Sequence, residues 1–144
     1  MSHQIPEIYC DLSLLFPVEC DDGILQHIIA ISAGASIYKK NSESSVKCLI
    51  VAKTGYLKTW YLDEALAQLF RKIEGILPEI ADLTQVHGAK ALVNIAFWQY
   101  GTYPALSITG KNMAHIRALW ADIDIDPYDG YEPVFPDNPR RKNA

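Results

Sequence analysis

The segment EIYCDLSLLF, near the N-terminus, constrains the fold most, because its hydrophobic side chains recur at every second position. The even-numbered residues from Ile8 to Phe16 lie on one side of an extended chain. The odd-numbered residues from Glu7 to Ser13, which are mostly polar, lie on the other. A period of two predicts a half-buried β-strand, and Pro17 marks its end.

Three segments have the spacing of amphipathic helices. The first is DDGILQHIIAISAG, with Asp21 or Asp22 as the N-cap and Gly34 as the C-terminal stop. The segment LDEALAQLFRKIEGILPEIADL gives the strongest signal, and Pro78 either ends this helix or starts a short second one. The segment KNMAHIRALWA predicts a further short helix. Its inward-facing residues are predicted to be Met113, Ile116, Leu119 and Trp120.

The rest of the chain is rich in strand and turn signals. The segment ASIYKKNSESSVKCLIVAKTGYLKTWYL predicts two or three short antiparallel strands, with turns at NSESS and at KTGY. The segments KALVNIAFWQYG and YPALSITG, joined at GT, predict a β-hairpin. The segment DIDIDPYD alternates again and predicts a closing strand.

The predicted order of elements is therefore β-α-β-β-α-β-β-α-β. Strands joined by hairpins, with helices inserted, indicate an α+β domain: a mostly antiparallel sheet of about five to six strands, with helices packed on it. We expect residues 1–130 to form this single domain. Residues 131–144 are rich in proline, polar and charged side chains, and we expect an extended or disordered C-terminal tail there.

Composition narrows the class of protein. The 144 residues are 49% hydrophobic and carry a net charge of −4, which suits a globular domain and lacks the cationic footprint of a nucleic-acid-binding protein. A basic partner would complement this charge. Three cysteines without a C-x-x-C pair indicate reduced thiols rather than a disulfide framework. The chain shows neither a signal-peptide pattern nor a membrane-spanning run, so we expect a soluble cytoplasmic protein without a membrane partner.

The segment ADIDIDPYDG is the main candidate for chemistry, since it places three carboxylates at alternate positions. A calcium loop that began at Asp122 would need glycine at its sixth position and glutamate at its twelfth. These positions hold Pro127 and Pro133. The sharp turn and the bidentate ligand are both lost, and the calcium hypothesis is rejected.

A strand fits the segment better, with Asp122, Asp124 and Asp126 on one face and Ile123 and Ile125 pointing inward. Three interpretations of the acidic face remain open. It is a solvated edge strand protected from aggregation, an acidic stripe that binds a basic partner, or a pair of carboxylates in a hydrolytic or metal-dependent site.

Other candidate residues point away from catalysis. The four histidines have no metal-ligand spacing, and neither a glycine-rich phosphate loop nor a G-x-S-x-G motif is present. Cys10 and Cys48 fall on apolar strand faces as core residues, whereas Cys20 lies nearer a loop. We expect neither a catalytic residue, nor a metal, nor a cofactor.

The aromatic run FWQYGTY offers a second surface. Trp98 and Tyr100 share one face of a predicted strand, and Tyr103 follows across the turn. The three side chains form either an exposed patch, of the residue types that anchor protein interfaces, or a covered part of the core.

The stretch from LDEALAQLFRKIEGILPEIADL through VNIAFWQYGTYPALSITGKNMAHIRALWADIDIDPYD resembles the bacterial family catalogued as domain of unknown function 4279. The resemblance covers roughly residues 7–129 and includes the closing strand DIDIDPYD. It implies a small cytoplasmic protein without established enzymatic activity. Some members resemble immunity proteins encoded beside polymorphic or contact-dependent toxins.

The residues predict a non-enzymatic binding protein with a basic partner, and the resemblance implies that it is an immunity protein and that the partner is a cognate toxin domain. The predicted contact residues are Asp122, Asp124, Asp126, Trp98, Tyr100 and Tyr103. Two alternatives come from other classes: a small carboxylate- or metal-dependent hydrolase, and a self-associating structural domain. The oligomeric state stays open.

Overall fold

The computed structural model describes residues 4–17, 22–32, 36–38 and 46–130. Two strands follow the first helix directly, and a 3-10 turn at Glu74–Ile76 joins the second and third helices. The strands are β1 (Glu7–Pro17), β2 (Ser36–Tyr38), β3 (Val46–Lys58), β4 (Lys90–Gln99) and β5 (Asp122–Asp129). The helices are α1 (Asp22–Ile31), α2 (Leu62–Ile73), α3 (Leu77–Val86) and α4 (Gly110–Ala118).

The described strands form one sheet in the order β2-β3-β1-β4-β5. The pairs β2–β3, β3–β1 and β1–β4 are antiparallel, whereas β4 and β5 are parallel. A parallel pair needs a crossover, and α4 supplies it. The α+β class is therefore confirmed, but the sheet is mixed.

β1 lies in the centre of the sheet and is buried on both faces. Its even-numbered residues, such as Leu12, belong to the main hydrophobic core under the helices. On the opposite side, which we call the second face, Tyr9, Asp11 and Ser13 are also buried. The prediction of a half-buried strand is wrong because the alternation reflects two different environments, one apolar and one polar, rather than core and solvent.

β3 is one continuous strand where the sequence predicted a turn at KTGY. The register with β1 shifts between Tyr9 and Asp11, which marks a β-bulge. Gly55 adopts a φ of 75° there, a conformation that favours glycine. The Thr54 hydroxyl accepts a hydrogen bond from the Cys10 N–H at 3.0 Å and so bridges the bulge.

The predicted hairpin after β4 does not form. Gly101, with a φ of 87°, turns the chain away from the sheet, and residues 106–109 form neither strand nor helix. Ala105 pairs instead with the segment before α2: its N–H donates to the Trp60 carbonyl at 2.7 Å, and the Leu62 N–H donates to its carbonyl at 3.0 Å. These two hydrogen bonds position the segment that leads into α4.

The strongest predicted helix is present but divided. The apolar stripe of α2 is buried against the sheet, and α3 starts at Leu77 with Pro78 in its first turn, as one of the two sequence alternatives predicted. The buried residues of the two helices are Leu62, Ala65, Leu66, Leu69, Phe70, Ile73, Ile80 and Leu83.

Several predictions concern residues outside the described ranges: the NSESS turn, Gly34, Cys20 and the tail at 131–144. Within the described ranges, Cys10 and Cys48 are buried, as predicted for core cysteines. None of the described helices combines the length and hydrophobicity that a membrane crossing requires.

Candidate partner-binding surface

β5 carries the acidic segment and stands at one edge of the sheet. Its register with β4 pairs Asp124 with Asn94 and Ile123 with Val93. Since Val93 belongs to the main core, Ile123 lies on the helix-covered face, and the acidic residues lie on the second face. The predicted division of β5 into an acidic and an apolar side is therefore present.

Exposure along β5 differs from residue to residue. Asp122 and Asp124 are exposed, and Asp126 is half-buried. Ile123 packs against the core, and Ile125 lies on the same face beside the core residue Ile95, as predicted, but Ile125 is 41% exposed. An edge strand has a neighbour on one side only, which leaves Ile125 partly uncovered.

Asp122 pairs with Lys90 across β4 and β5. The Nζ and Oδ2 atoms are 3.3 Å apart, and both side chains are about two-thirds exposed. Such a surface pair contributes little to stability, roughly 0–1 kcal/mol, and it exchanges readily for other partners.

Pro127 limits the hydrogen bonds that the outer edge of β5 can donate. The Gly130 N–H donates to the Gln99 carbonyl at 2.7 Å, so even-numbered N–H groups of this strand point toward β4. By alternation the odd-numbered ones point outward, which places the ring nitrogen of Pro127 on the outer edge. Because proline has no backbone N–H, the outer edge lacks one hydrogen-bond donor, which discourages strand-to-strand aggregation. Recognition at this edge therefore depends mainly on side chains.

A buried polar cluster lies beside the acidic row, on the same face of the sheet. Asp11 accepts hydrogen bonds from the Tyr9 hydroxyl (2.9 Å), the Ser13 hydroxyl (3.1 Å) and the Asn94 amide (2.7 Å). These donors come from two adjacent strands. Three donors satisfy a buried carboxylate and fix the register of β1 and β4 beside Asp124.

The predicted exposed aromatic patch does not form. Trp98 is 2% exposed and Tyr100 is also buried. The Trp98 ring stacks on Tyr128 with centroids 5.1 Å apart and lies 5.0 Å from Tyr56, and the Tyr100 hydroxyl donates to Glu7 at 2.7 Å. These rings form a second hydrophobic cluster, so the core interpretation is correct for Trp98 and Tyr100.

Tyr103 lies apart from that cluster. It is 64% exposed, and its ring meets Phe97 edge-on with centroids 6.0 Å apart. Phe97 belongs to the main core, on the face opposite Trp98. The turn at Gly101 carries Tyr103 to that side, which is why the three aromatic residues do not share a surface.

A cleft of about 510 Å³ lies between α1 and α3. Its floor includes Ile28 and Leu83, and His27, Asp82 and His87 line it. His87 lies 3.8 Å from Asp82, and this pair is exposed to solvent. Across the described residues, no three His, Cys, Asp or Glu side chains are grouped to hold a metal ion.

The α2–α4 junction carries a shifted carboxyl group. Asp63 accepts hydrogen bonds from the Thr109 N–H (2.8 Å) and the Asn112 amide (2.7 Å), and the Thr109 side chain caps α4. The backbone hydrogen bond from Thr109, with those from the two side chains, lowers the pKa of Asp63. These contacts fasten α4 to α2 and serve structure.

The prediction that the side chains of Met113 and Trp120 face inward is wrong for both residues. Ile116 and Leu119 face the core as predicted, but Met113 is 46% exposed and Trp120 is 72% exposed. Helical spacing fails for Trp120 because it lies beyond the end of α4, where the backbone leaves helical geometry. Trp120 has a φ of 53°, a left-handed value that is uncommon for a bulky residue and that interrupts the helical spacing.

Comparison with known proteins gives no relative: no family model, no curated protein and no solved structure matches the chain.

Proposed function

We propose that this chain is a non-enzymatic binding protein, an immunity protein that neutralises a basic toxin domain by direct contact. One observation carries the proposal: Asp122 and Asp124 are exposed on one face of an ordered edge strand. Asp126 extends the same row. A row of carboxylates spaced by two residues matches a partner surface that is rich in lysine and arginine.

Electrostatics favours such a partner kinetically. The chain has a net charge of −4, so a basic protein is attracted before contact, and the exposed row gives this attraction a direction. Steered association of this kind is fast at low salt and slows as salt screens the charges. Rapid capture suits a protein whose task is to neutralise a harmful domain.

The geometry of the row favours recognition over chemistry. Asp124 stands beside Asn94 in the register, and Asn94 is held by the buried Asp11. Contact residues on a rigid strand lose little entropy on binding, which improves affinity. The carboxylate- or metal-dependent hydrolase that the sequence left open gains no observation in its favour.

The test is genetic. If the reading frame next to this gene encodes a large secreted protein, its C-terminal domain is expressed alone and together with this chain. The proposal predicts growth arrest in the first case and rescue in the second. Continued growth arrest in the presence of well-expressed chain contradicts it.

A matched pair of variants then tests the surface. Asp122, Asp124 and Asp126 are changed together to Asn, and the control changes three exposed acids elsewhere, Glu74→Gln, Glu79→Gln and Asp82→Asn. Both variants lose the same charge. We expect rescue to fail only in the first, at equal expression.

A further inference from the structure

The cleft between α1 and α3 takes no part in the proposed toxin contact. It lies in the helix layer, because its floor residues Ile28 and Leu83 belong to the main core. The acidic row of β5 lies on the second face, across the sheet. The cleft and the acidic row are therefore separate surfaces.

One face of each helix lines the cleft. Ile24 and Ile28 are four residues apart on α1, and Glu79 is three and four residues from Asp82 and Leu83 on α3. Residues with this spacing share one side of a helix. The two facing sides enclose about 510 Å³, within the range of roughly 300–1,000 Å³ that small-molecule sites occupy.

The floor of the cleft is apolar. Ile28 is 1% exposed and Leu83 is 4% exposed, so the core beneath holds both side chains in place. Ile24 is partly buried and packs against the same core, and Pro78 adds a rigid ring to the lining. An apolar group that enters the cleft leaves water and meets a surface that is already formed.

The polar side chains of the cleft favour a hydrogen-bond donor with positive charge. Glu79 and Asp82 are exposed carboxylates, which only accept hydrogen bonds, and His27 and His87 each have one acceptor nitrogen when neutral. The described lining includes neither lysine nor arginine. With neutral histidines, the cleft therefore carries two negative charges beside its apolar floor.

The contact between Asp82 and His87 leaves the carboxylate accessible to a ligand. The Oδ2 and Nε2 atoms are 3.8 Å apart, which is longer than a hydrogen bond, and both side chains are exposed. A ligand N–H therefore reaches the Asp82 carboxylate without breaking a strong contact inside the protein.

We propose that this cleft binds a small organic cation, in which a protonated amine is attached to a compact apolar body. The ammonium group donates to Glu79 and Asp82, and the apolar body packs on Ile28 and Leu83. Both parts of the ligand are needed, because an exposed ion pair alone contributes little to binding. The apolar body alone gives no preference for positive charge.

The test titrates the isotope-labelled full chain at neutral pH with probes of one shape and different charge, and follows the assigned amide signals by NMR. The probes are cyclohexylmethylamine, cyclohexylmethanol and cyclohexanecarboxylate. We expect the amine to bind with a dissociation constant of about 1 mM, and the alcohol and the carboxylate at least about tenfold more weakly. The shifted signals should belong to α1 and α3.

Two results of this titration overturn the proposal. The first is equal binding of the amine and the alcohol, which would mean that the carboxylates select nothing. The second is a set of amine-induced shifts that map to β5, which would mean that the acidic row is the amine site. Methylamine, which carries the charge without the apolar body, should bind at least tenfold more weakly than cyclohexylmethylamine, and equal binding of these two amines also overturns it.

A matched pair of variants tests the charged residues. Glu79→Gln and Asp82→Asn are combined in one variant, and Glu64→Gln and Glu74→Gln, two exposed changes outside the cleft, are combined in the control. Both variants lose two negative charges. We expect the first to bind the amine as weakly as the alcohol and the control to bind it like wild type. Equal affinity for the amine in the two variants contradicts the assignment of Glu79 and Asp82.

Amine binding is measured without the toxin, so the proposal does not rest on the proposed function. The double variant of Glu79 and Asp82 should still rescue growth, since both changes also belong to the charge control of the rescue experiment. A chain that binds the amine and fails to rescue contradicts the proposed function alone. A chain that rescues growth and does not bind the amine contradicts the cleft proposal alone.

Discussion

Asn94 donates a hydrogen bond to Asp11 across the central strands of the sheet, with 2.7 Å between Nδ2 and Oδ1. The contact joins β4 to β1 on the second face, and the same amide also donates to the Ser13 hydroxyl at 3.2 Å. Asp124 is the register neighbour of Asn94 on the next strand. The proposed binding row thus rests on a buried and satisfied polar cluster.

Asn94→Ala should destabilise the fold by about 1–3 kcal/mol, because it removes one of the three donors from a buried carboxylate. Urea unfolding followed by circular dichroism measures the loss. Asp124→Asn is the control: it changes an exposed residue beside Asn94 and should alter stability by less than about 0.5 kcal/mol. Equal losses of unfolding free energy in the two variants would contradict the prediction that the buried cluster stabilises the fold.

Cys10 should resist thiol reagents in the folded protein. Burial, with the adjacent Asp11 carboxylate, raises the pKa of its thiol from 9.0 to about 12, so it is protonated and covered at pH 8. Iodoacetamide labelling followed by peptide mass spectrometry should show modification of Cys10 only after unfolding in urea. Rapid labelling of Cys10 in native protein would contradict the prediction.

The same pKa shift predicts a loss of stability in alkali. The unfolded chain releases the Cys10 proton near pH 9, whereas the folded chain retains it up to about pH 12. Stability from this residue is complete below pH 9 and declines as the pH rises toward 12. The difference in unfolding free energy between wild type and Cys10→Ala should therefore shrink between pH 8.5 and 10.5, within the range of measurement. A constant difference over that range would contradict it.

Gly130 lies against the Tyr100 ring, and a Cβ added there would overlap ring atoms. Gly130→Ala must displace Tyr100, whose hydroxyl donates to Glu7, and should cost about 1–3 kcal/mol. Gly75→Ala is the matched control, because a Cβ at Gly75 meets open space in the short 3-10 turn. Thermal unfolding should show a lower midpoint for the first variant and an unchanged or higher one for the second.

Asp63 should stabilise the fold at neutral pH but not in strong acid. The hydrogen bonds from Thr109 and Asn112 lower its pKa from 3.8, so its contribution is complete above about pH 4 and disappears as the pH falls through the folded-state pKa. Asp63→Asn should be less stable than wild type at pH 7 and should approach it near pH 2. Val86→Ala, an exposed change on α3 without a titratable side chain, is the control for urea unfolding across the same pH range.

Sequence periodicity predicted the elements whose residues alternate between core and other surroundings. It located β1, α2 and β5, and it separated the acidic from the apolar side of β5. Periodicity could not decide whether the polar side of a strand is exposed to solvent or buried, which is why the predictions for Asp11 and Trp98 are wrong. Burial on the second face depends on distant strands, and local patterns carry no information about those.

Backbone exceptions account for the remaining errors. Gly55 reads as a turn signal, yet it sits in a bulge inside a continuous strand. Trp120 fits the helical spacing of α4, yet it lies one position beyond the Leu119 cap with left-handed geometry. The bulge depends on pairing between β1 and β3, and Trp120 depends on the hydrogen bonds that end α4, so spacing alone points to the wrong structure in both cases.

The association rate between this chain and the proposed toxin partner tests the central claim most directly. We predict that changing Asp122, Asp124 and Asp126 to Asn lowers this rate at least tenfold at low salt and flattens its dependence on salt. The charge-matched control at Glu74, Glu79 and Asp82 should keep most of the wild-type rate. A triple Asn variant that binds as fast and as tightly as the control would contradict the account.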